Sequence, residues 1–218
     1  MRLRRGAQAY GRTLGTADAR WGRAVVLHRA DGAFRRAGMF LPPDHFELFD
    51  LPPRFVLDTA ALDNAYRSVQ GQVHPDRFAA ASAAESRVAM QWATQANEAY
   101  RTLRSPLRRA AYLCERAGVA IDAESNTAMP AEFLTQQLQW RESLDDARAT
   151  GERKPLQALS EATESERDRL LGEIGQALDI NADYARAAAL VRQLMFVEKF
   201  STEIASALES LRDSRASA

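Results

Sequence analysis

From Asp44 onward the apolar positions recur at helical intervals, and no stretch of useful length alternates apolar with polar residues as a half-buried strand would. A short segment, Asp44-His45-Phe46-Glu47-Leu48-Phe49, stops at the turn Leu51-Pro52-Pro53. Behind Asp58 or Thr59 as a cap, Leu62, Ala65, Tyr66 and Val69 follow at i, i+3, i+4 and i+7 and predict one helix face. Pro75 closes that helix, because it lacks an N–H and disfavours the α conformation in His74. Ser82-Ala83-Ala84-Glu85 reads as a capping box, and Val88, Ala89, Trp92, Ala96, Tyr100 and Leu103 form the apolar side of the helix it opens. Ser105-Pro106 starts a fourth helix, which carries Leu107, Ala110, Leu113 and Cys114 and stops at Gly118.

Residues 119–129 have little pattern and read as a linker. Three longer helices are expected at 130–149, 155–178 and 181–212, with Pro130 and Asn181 as starts and Gly151 and Asp179 as breaks. The expected fold is all-α, with an antiparallel helical hairpin in residues 44–118 and a three-helix bundle in residues 130–212.

Composition narrows the class without changing this picture. The chain has 218 residues, 27% of them charged and 46% apolar, which suits one or two small domains with a real core. Only 11 glycines and 8 prolines exclude a collagenous or low-complexity chain. A single cysteine, Cys114, excludes a disulfide framework and an all-cysteine metal site, and it reads as a small buried apolar residue. No apolar stretch is long enough to span a membrane, so a soluble intracellular chain is expected.

Charge is distributed unevenly. Residues 1–43 hold nine arginines against Asp18 and Asp31, a net of +7, while the remainder carries −7 and the whole chain is neutral. A uniformly basic nucleic-acid binder would not divide its charge this way. Only Lys154 and Lys199 are lysines, a bias that reads first as genomic. The segment 1–43 is expected to be a disordered basic tail, or an overlong start with Met39 as initiator. An organelle leader and an RNA-binding or acid-binding arm are its rival readings.

His74-Pro75-Asp76 stands between two helices, and residue chemistry leaves its role open. It can be a plain turn, a His–Asp catalytic dyad, or a rigid loop that shows an imidazole and a carboxylate to another protein. No serine or cysteine nucleophile has a matching local signature, and His28, His45 and His74 share no metal-ligand spacing.

These residues carry a resemblance. The order short helix, helix, His74-Pro75-Asp76, helix is similar to a J-domain. Phe46-x-Leu48-Phe49-x-Leu51-Pro52, Asp76-Arg77-Phe78 and Asn97-x-Ala99-Tyr100-x-x-Leu103 extend the match. With Ser105-Pro106-Leu107-x-Arg109-Ala110-x-Tyr112-Leu113, residues 44–211 resemble the HscB family of co-chaperones for iron–sulfur cluster assembly. The resemblance implies that residues 44–118 dock on an ATP-bound, HscA-type chaperone of the seventy-kilodalton class. Asp76 would pair with a cation there, while His74 and Pro75 hold the loop's shape. It also implies that basic residues before the tripeptide steer docking. Here they thin to Arg67, followed by Gln70, Gly71 and Gln72, so docking is expected to be slower or less salt-sensitive.

The first long helix of the second domain carries two stripes. Phe133, Trp140, Leu144 and Ala147 share a side suited to a core, while Leu134 and Leu138 lie roughly 100–140° away at about 100° per residue. Glu142 and Asp146 continue the Leu134–Leu138 row at i+4 steps. That row reads either as an interaction edge or as isolated exposed leucines of no consequence. In the last helix Leu190, Leu194, Val197, Ile204 and Leu208 face inward, and Phe196 is expected well off that side, as an interdomain or partner contact.

By the resemblance, Leu134, Leu138, Glu142, Asp146 and Phe196 match the family's patch for the cluster scaffold IscU. Thr135 stands where a larger apolar residue is usual, and Gln139 where an acid is usual. The implied protein is a monomeric, cytoplasmic co-chaperone, with the mitochondrial matrix as the lesser alternative. It performs no catalysis, binds no cofactor or metal of its own, and has no nucleic-acid or membrane partner. A general J-domain co-chaperone with another client is the rival reading.

Overall fold

Asp44 opens the first helix by accepting hydrogen bonds from the backbone N–H groups of Phe46 (2.8 Å) and Glu47 (3.4 Å). The structure, a computed structural model, describes residues 44–73, 83–122 and 129–216. The readings made for residues 1–43, His74-Pro75-Asp76, Ser82 and residues 123–128 lie outside them. Among the described residues there are seven α-helices, one π-helical segment and no strand, so the fold is all-α as expected.

The hairpin comes first. Helix α1 (His45–Leu48) is a single turn that buries Phe46. Helix α2 (Thr59–Val73) is capped by Asp58, whose carboxylate accepts from the N–H groups of Ala60 (2.9 Å) and Ala61 (3.2 Å). Helix α3 (Ala83–Arg104) runs back against it. Tyr66 donates to Asn97 Oδ1 (2.7 Å) and Tyr100 to Asp63 Oδ1 (3.0 Å), so partner numbers fall on one helix as they rise on the other. The Tyr66 and Tyr100 rings stack between the two helices, with centroids 4.1 Å apart. Ser105 caps α4 (Pro106–Arg116) with proline in its first turn, and Gly118, at φ +82°, follows its end.

The bundle follows with α5 (Ala131–Thr150), α6 (Arg153–Gly175) and α7 (Tyr184–Ala216). Helix α5 ends at Gly151 in the left-handed conformation (φ +67°). Helix α6 starts two residues earlier than the pattern predicts, because Pro155 sits in the first turn, where its missing N–H would have no partner. It runs on into a π-helical segment, Gln176–Ile180. The start assigned to Asn181 is corrected to Asp183. The Asn181 N–H is held by Gln176 O (3.0 Å) across the π turn, and Ala182 breaks the chain direction at φ +51°. Asp183 then caps α7, its carboxylate accepting from the Arg186 N–H at 3.0 Å.

The core is continuous from hairpin to bundle. Phe46, Leu62, Ala99, Leu103 and Ala110 are buried in the first part. Leu144, Leu156, Leu170, Ile174, Leu194, Phe200 and Ile204 are buried in the second. The two parts pack along α4 and α7. There the Cys114 thiol points at the Tyr184 carbonyl (3.7 Å), and Arg192 Nη1 donates to Ile121 O at 3.1 Å. Burial pushes the Cys114 thiol up to about 11, which suits its role as a small packed residue.

Asp44 has a second duty beyond capping, since its other carboxylate oxygen pairs with Arg116 at the end of α4. Burial alone would raise the Asp44 carboxyl, but Arg116 and the N–H groups of Phe46 and Glu47 outweigh it and hold the group below the usual range. A depressed folded value means stability that is present above the ordinary aspartate value and lost as pH falls through the folded one. Asp44→Asn, which can still cap α1 but loses the charge paired with Arg116, should therefore cost up to about 1 kcal/mol at pH 7. In a urea-unfolding series that difference from the parent should shrink as the pH is taken below about 4.

Candidate functional site

The first candidate surface is the face of helix α2 in the hairpin. Helix α2 has one cation, Arg67, and one acid, Asp63. Arg67 is exposed, but its guanidinium turns back on its own helix, donating to Asp63 O (3.2 Å) and Asn64 Oδ1 (2.9 Å). Gln70 Nε2 is likewise drawn to α3, donating to Asn97 Oδ1 at 3.1 Å. A Cβ at Gly71 would meet nothing within 4 Å, so no close approach requires glycine there. It costs the helix about 1 kcal/mol relative to alanine. The described part of this face thus presents little positive charge of its own.

The second surface lies on α5. Phe133, Trp140, Leu144 and Ala147 are buried against α6 and α7, as their shared side predicts. Leu134 and Leu138 stand on the outside, 48% and 61% exposed, with Glu142 and Asp146 exposed on the next two turns. Phe196 is placed differently from the expectation, because it belongs to the edge of the core. It is half-buried, meets the Phe133 ring edge-on (5.9 Å) and stacks on Phe200 (6.0 Å). The inward side of α7 is wider than its leucine row indicates, because α4, α5 and α6 all pack on this one helix.

Arg141 was missed in the sequence. Its guanidinium lies 5.7 Å from the Phe196 ring centroid and 5.6 Å from that of Phe200, and it pairs with Glu203 at 3.3 Å. It follows Leu138 by three residues, so its nearness to the exposed row was legible. Its aromatic partners on α7 were not. Thr135 and Gln139 turn to the other flank of α5, where they line a groove of about 850 Å³. That groove includes the ion pairs of Arg169 with Glu166 (2.6 Å) and Glu173, and of Arg186 with Glu173 (3.4 Å). An apolar pair, an acidic pair and an aromatic edge can bind another protein, but these side chains include no nucleophile–base pair. Among the described residues no group of three or more His, Cys, Asp or Glu side chains is placed to hold a metal, and no helix is long and apolar enough to cross a membrane.

Comparison with known proteins matches residues 129–205 to the family model described as the HSCB C-terminal oligomerisation domain. The co-chaperone protein HscB homolog of Burkholderia multivorans is 56% identical over 171 residues, which cover 78% of this chain and 97% of that one. Among solved structures, the chaperone HscB from Vibrio cholerae is similar with a TM-score of 0.67 at 32% identity, covering 78% of this chain and 99% of its own. The human co-chaperone protein HscB is similar with a TM-score of 0.71 at 25% identity, over 76% of this chain and 82% of that one.

The contrast between the row and the aromatic edge is measurable. Leu134→Ala and Leu138→Ala should each change stability by less than about 0.5 kcal/mol. Phe196→Ala should cost about 2 kcal/mol in thermal or urea unfolding, since it removes a ring half-buried against two others.

Proposed function

The chain belongs to the HscB family of co-chaperones, and on that footing we propose that it stimulates ATP hydrolysis by an HscA-type chaperone of the seventy-kilodalton class and delivers an IscU-type scaffold to it. The consequence is transfer of the scaffold's iron–sulfur cluster to acceptor proteins, in the cytoplasm. Residues 44–118 act as the J-domain, 119–129 as the linker and 130–212 as the scaffold-binding domain. His74, Pro75 and Asp76 form the chaperone contact, with Arg67 beside them. Leu134, Leu138, Glu142, Asp146 and Phe196 form the scaffold contact.

The observation that most supports this reading is the outward row on α5. Its two leucines are exposed on a helix whose other side is fully used in the core, so packing within the chain does not account for them. The acids that follow suit a partner with an apolar contact bordered by positive charge. Holding both partners on one chain raises the effective concentration of one for the other. The chemistry of ATP hydrolysis stays with the chaperone, and the cluster stays with the scaffold as cargo.

A second reading follows from the matched family's description as an oligomerisation domain: the same row would pair two copies of this chain. Light-scattering mass across a concentration series separates the two. A constant monomer mass favours the scaffold, whereas a dimer abolished by Leu138→Ala favours self-association.

Two outcomes test the main reading. In steady-state ATPase assays, His74→Gln should abolish stimulation of the chaperone while leaving the chain folded, because His74 holds the loop that presents Asp76, whose charge-assisted docking contact costs about 2–5 kcal/mol to lose. Stimulation that ignores the scaffold would favour a general co-chaperone with another client. In calorimetric titrations, Leu134→Ala with Leu138→Ala should weaken scaffold binding at least about 30-fold, as expected when two central apolar anchors are removed.

A further inference from the structure

The connection between α6 and α7 adopts backbone states that a chain does not take without compensation. Gln176–Ile180 is π-helical, a form that occurs mostly as single turns and frequently at functional sites. Ala182 sits at φ +51°, a left-handed conformation that favours glycine. The Ile180 side chain is 71% exposed, so burial of that residue does not explain the turn. What the turn does is carry Asp179 to the hairpin. One carboxylate oxygen of Asp179 accepts from the Phe55 N–H at 2.7 Å and the other from the Val56 N–H at 2.8 Å.

Packing surrounds this contact without orienting it. The Phe55 ring is buried beside Gly175, where a Cβ would meet it at 3.4 Å, and the Arg109 guanidinium lies 5.3 Å from its centroid. Arg109 is itself buried, donating to Leu103 O at 2.6 Å, with no partner for its Nε among the described residues. Burial pushes its guanidinium below the usual value, and the Asp179 charge opposes that. Val56 is 74% exposed, so the backbone of this loop is held by Asp179 and its side chain is not. Apolar burial has no direction, whereas a carboxylate accepting two adjacent N–H groups fixes both distance and angle.

We propose that Asp179 is a positioning residue for the two-partner function, clasping the Phe55–Val56 backbone so that the hairpin and the exposed row of α5 keep one relative orientation. The role rests on the function proposed above. The α4–α7 packing is one attachment between the two parts. The clasp is a second, on a loop outside either helix, and it restrains pivoting about the first. A scaffold held by α5 would then reach the chaperone at a set place relative to the docking loop.

The test compares the parent with Asp179→Asn, which keeps size but replaces one acceptor oxygen with a donor, and with Asp179→Ala, which removes both acceptors. Spin labels on Ser68→Cys in α2 and Ala149→Cys in α5, both exposed sites, report the distance between the two parts. Buried Cys114, its thiol raised to about 11, stays unlabelled. The parent should give one narrow distance distribution and both variants should lose it, with helicity by circular dichroism unchanged. In ATPase assays the variants should keep scaffold affinity and scaffold-free stimulation within about twofold of the parent, while scaffold-dependent stimulation falls about fivefold. A distribution as narrow in the variants as in the parent overturns the clasp. A broadened distribution with full scaffold-dependent stimulation overturns the positioning role. A parent that never stimulates the chaperone overturns the co-chaperone function and the role within it, while the distance data, which need neither partner, still decide the clasp.

Discussion

One helix must serve three neighbours. Helix α7 buries Ala187, Val191, Leu194, Val197, Phe200 and Ile204, and α4, α5 and α6 all pack on it. The aromatic stack of Trp140 on Phe200, with centroids 5.8 Å apart, ties α5 to its middle. Because so much of its circumference is used, α7 cannot be a simple amphipathic surface helix. Its breadth draws Phe196 to the edge of the core, and its N-terminal part accepts α4 of the hairpin. The two parts meet on this one helix.

The polar groups at the joint are arranged around the same helix. Aspartates do much of this work, each through backbone N–H groups that helix starts or loops leave unpaired. Asp44 and Asp58 hold the starts of α1 and α2, Asp183 holds the start of α7, and Asp179 reaches across to residues 55 and 56. Three of the four satisfy donors within their own neighbourhood. Asp44 also reaches Arg116 within the hairpin, whereas Asp179 spans 124 residues of sequence to Phe55 and joins the bundle to the hairpin. The charge of half-buried Asp179 in turn favours the charged form of buried Arg109.

The two candidate surfaces differ in how they are built. The row on α5 is a by-product of helix geometry, since one side of α5 is committed to the core and Leu134 and Leu138 stand off it. Cost to the fold is small, and the leucines are free to meet a partner. The hairpin face is more economical with charge. Arg67 and Gln70 are tied to groups within the hairpin, so the described part of this face offers little long-range attraction.

Much of this was legible without coordinates, because helix periodicity and caps are local properties. The buried side of α5, the exposed Leu134–Leu138 row, the Ser105 cap and the Gly151 stop all follow from residue spacing and backbone chemistry. The all-α class and the family follow from the same order of helices and motifs. Tertiary structure alone decided the rest. Phe196 became a core edge because three helices converge on α7, and Arg141 became its cover because the rings it meets come from another helix. Asp179 reads in the sequence as a helix break, and only the fold turns its carboxylate toward Phe55 and Val56. Short-range patterns set which face of each helix is apolar, whereas contacts between residues far apart in the chain depend on how those faces share a common neighbour.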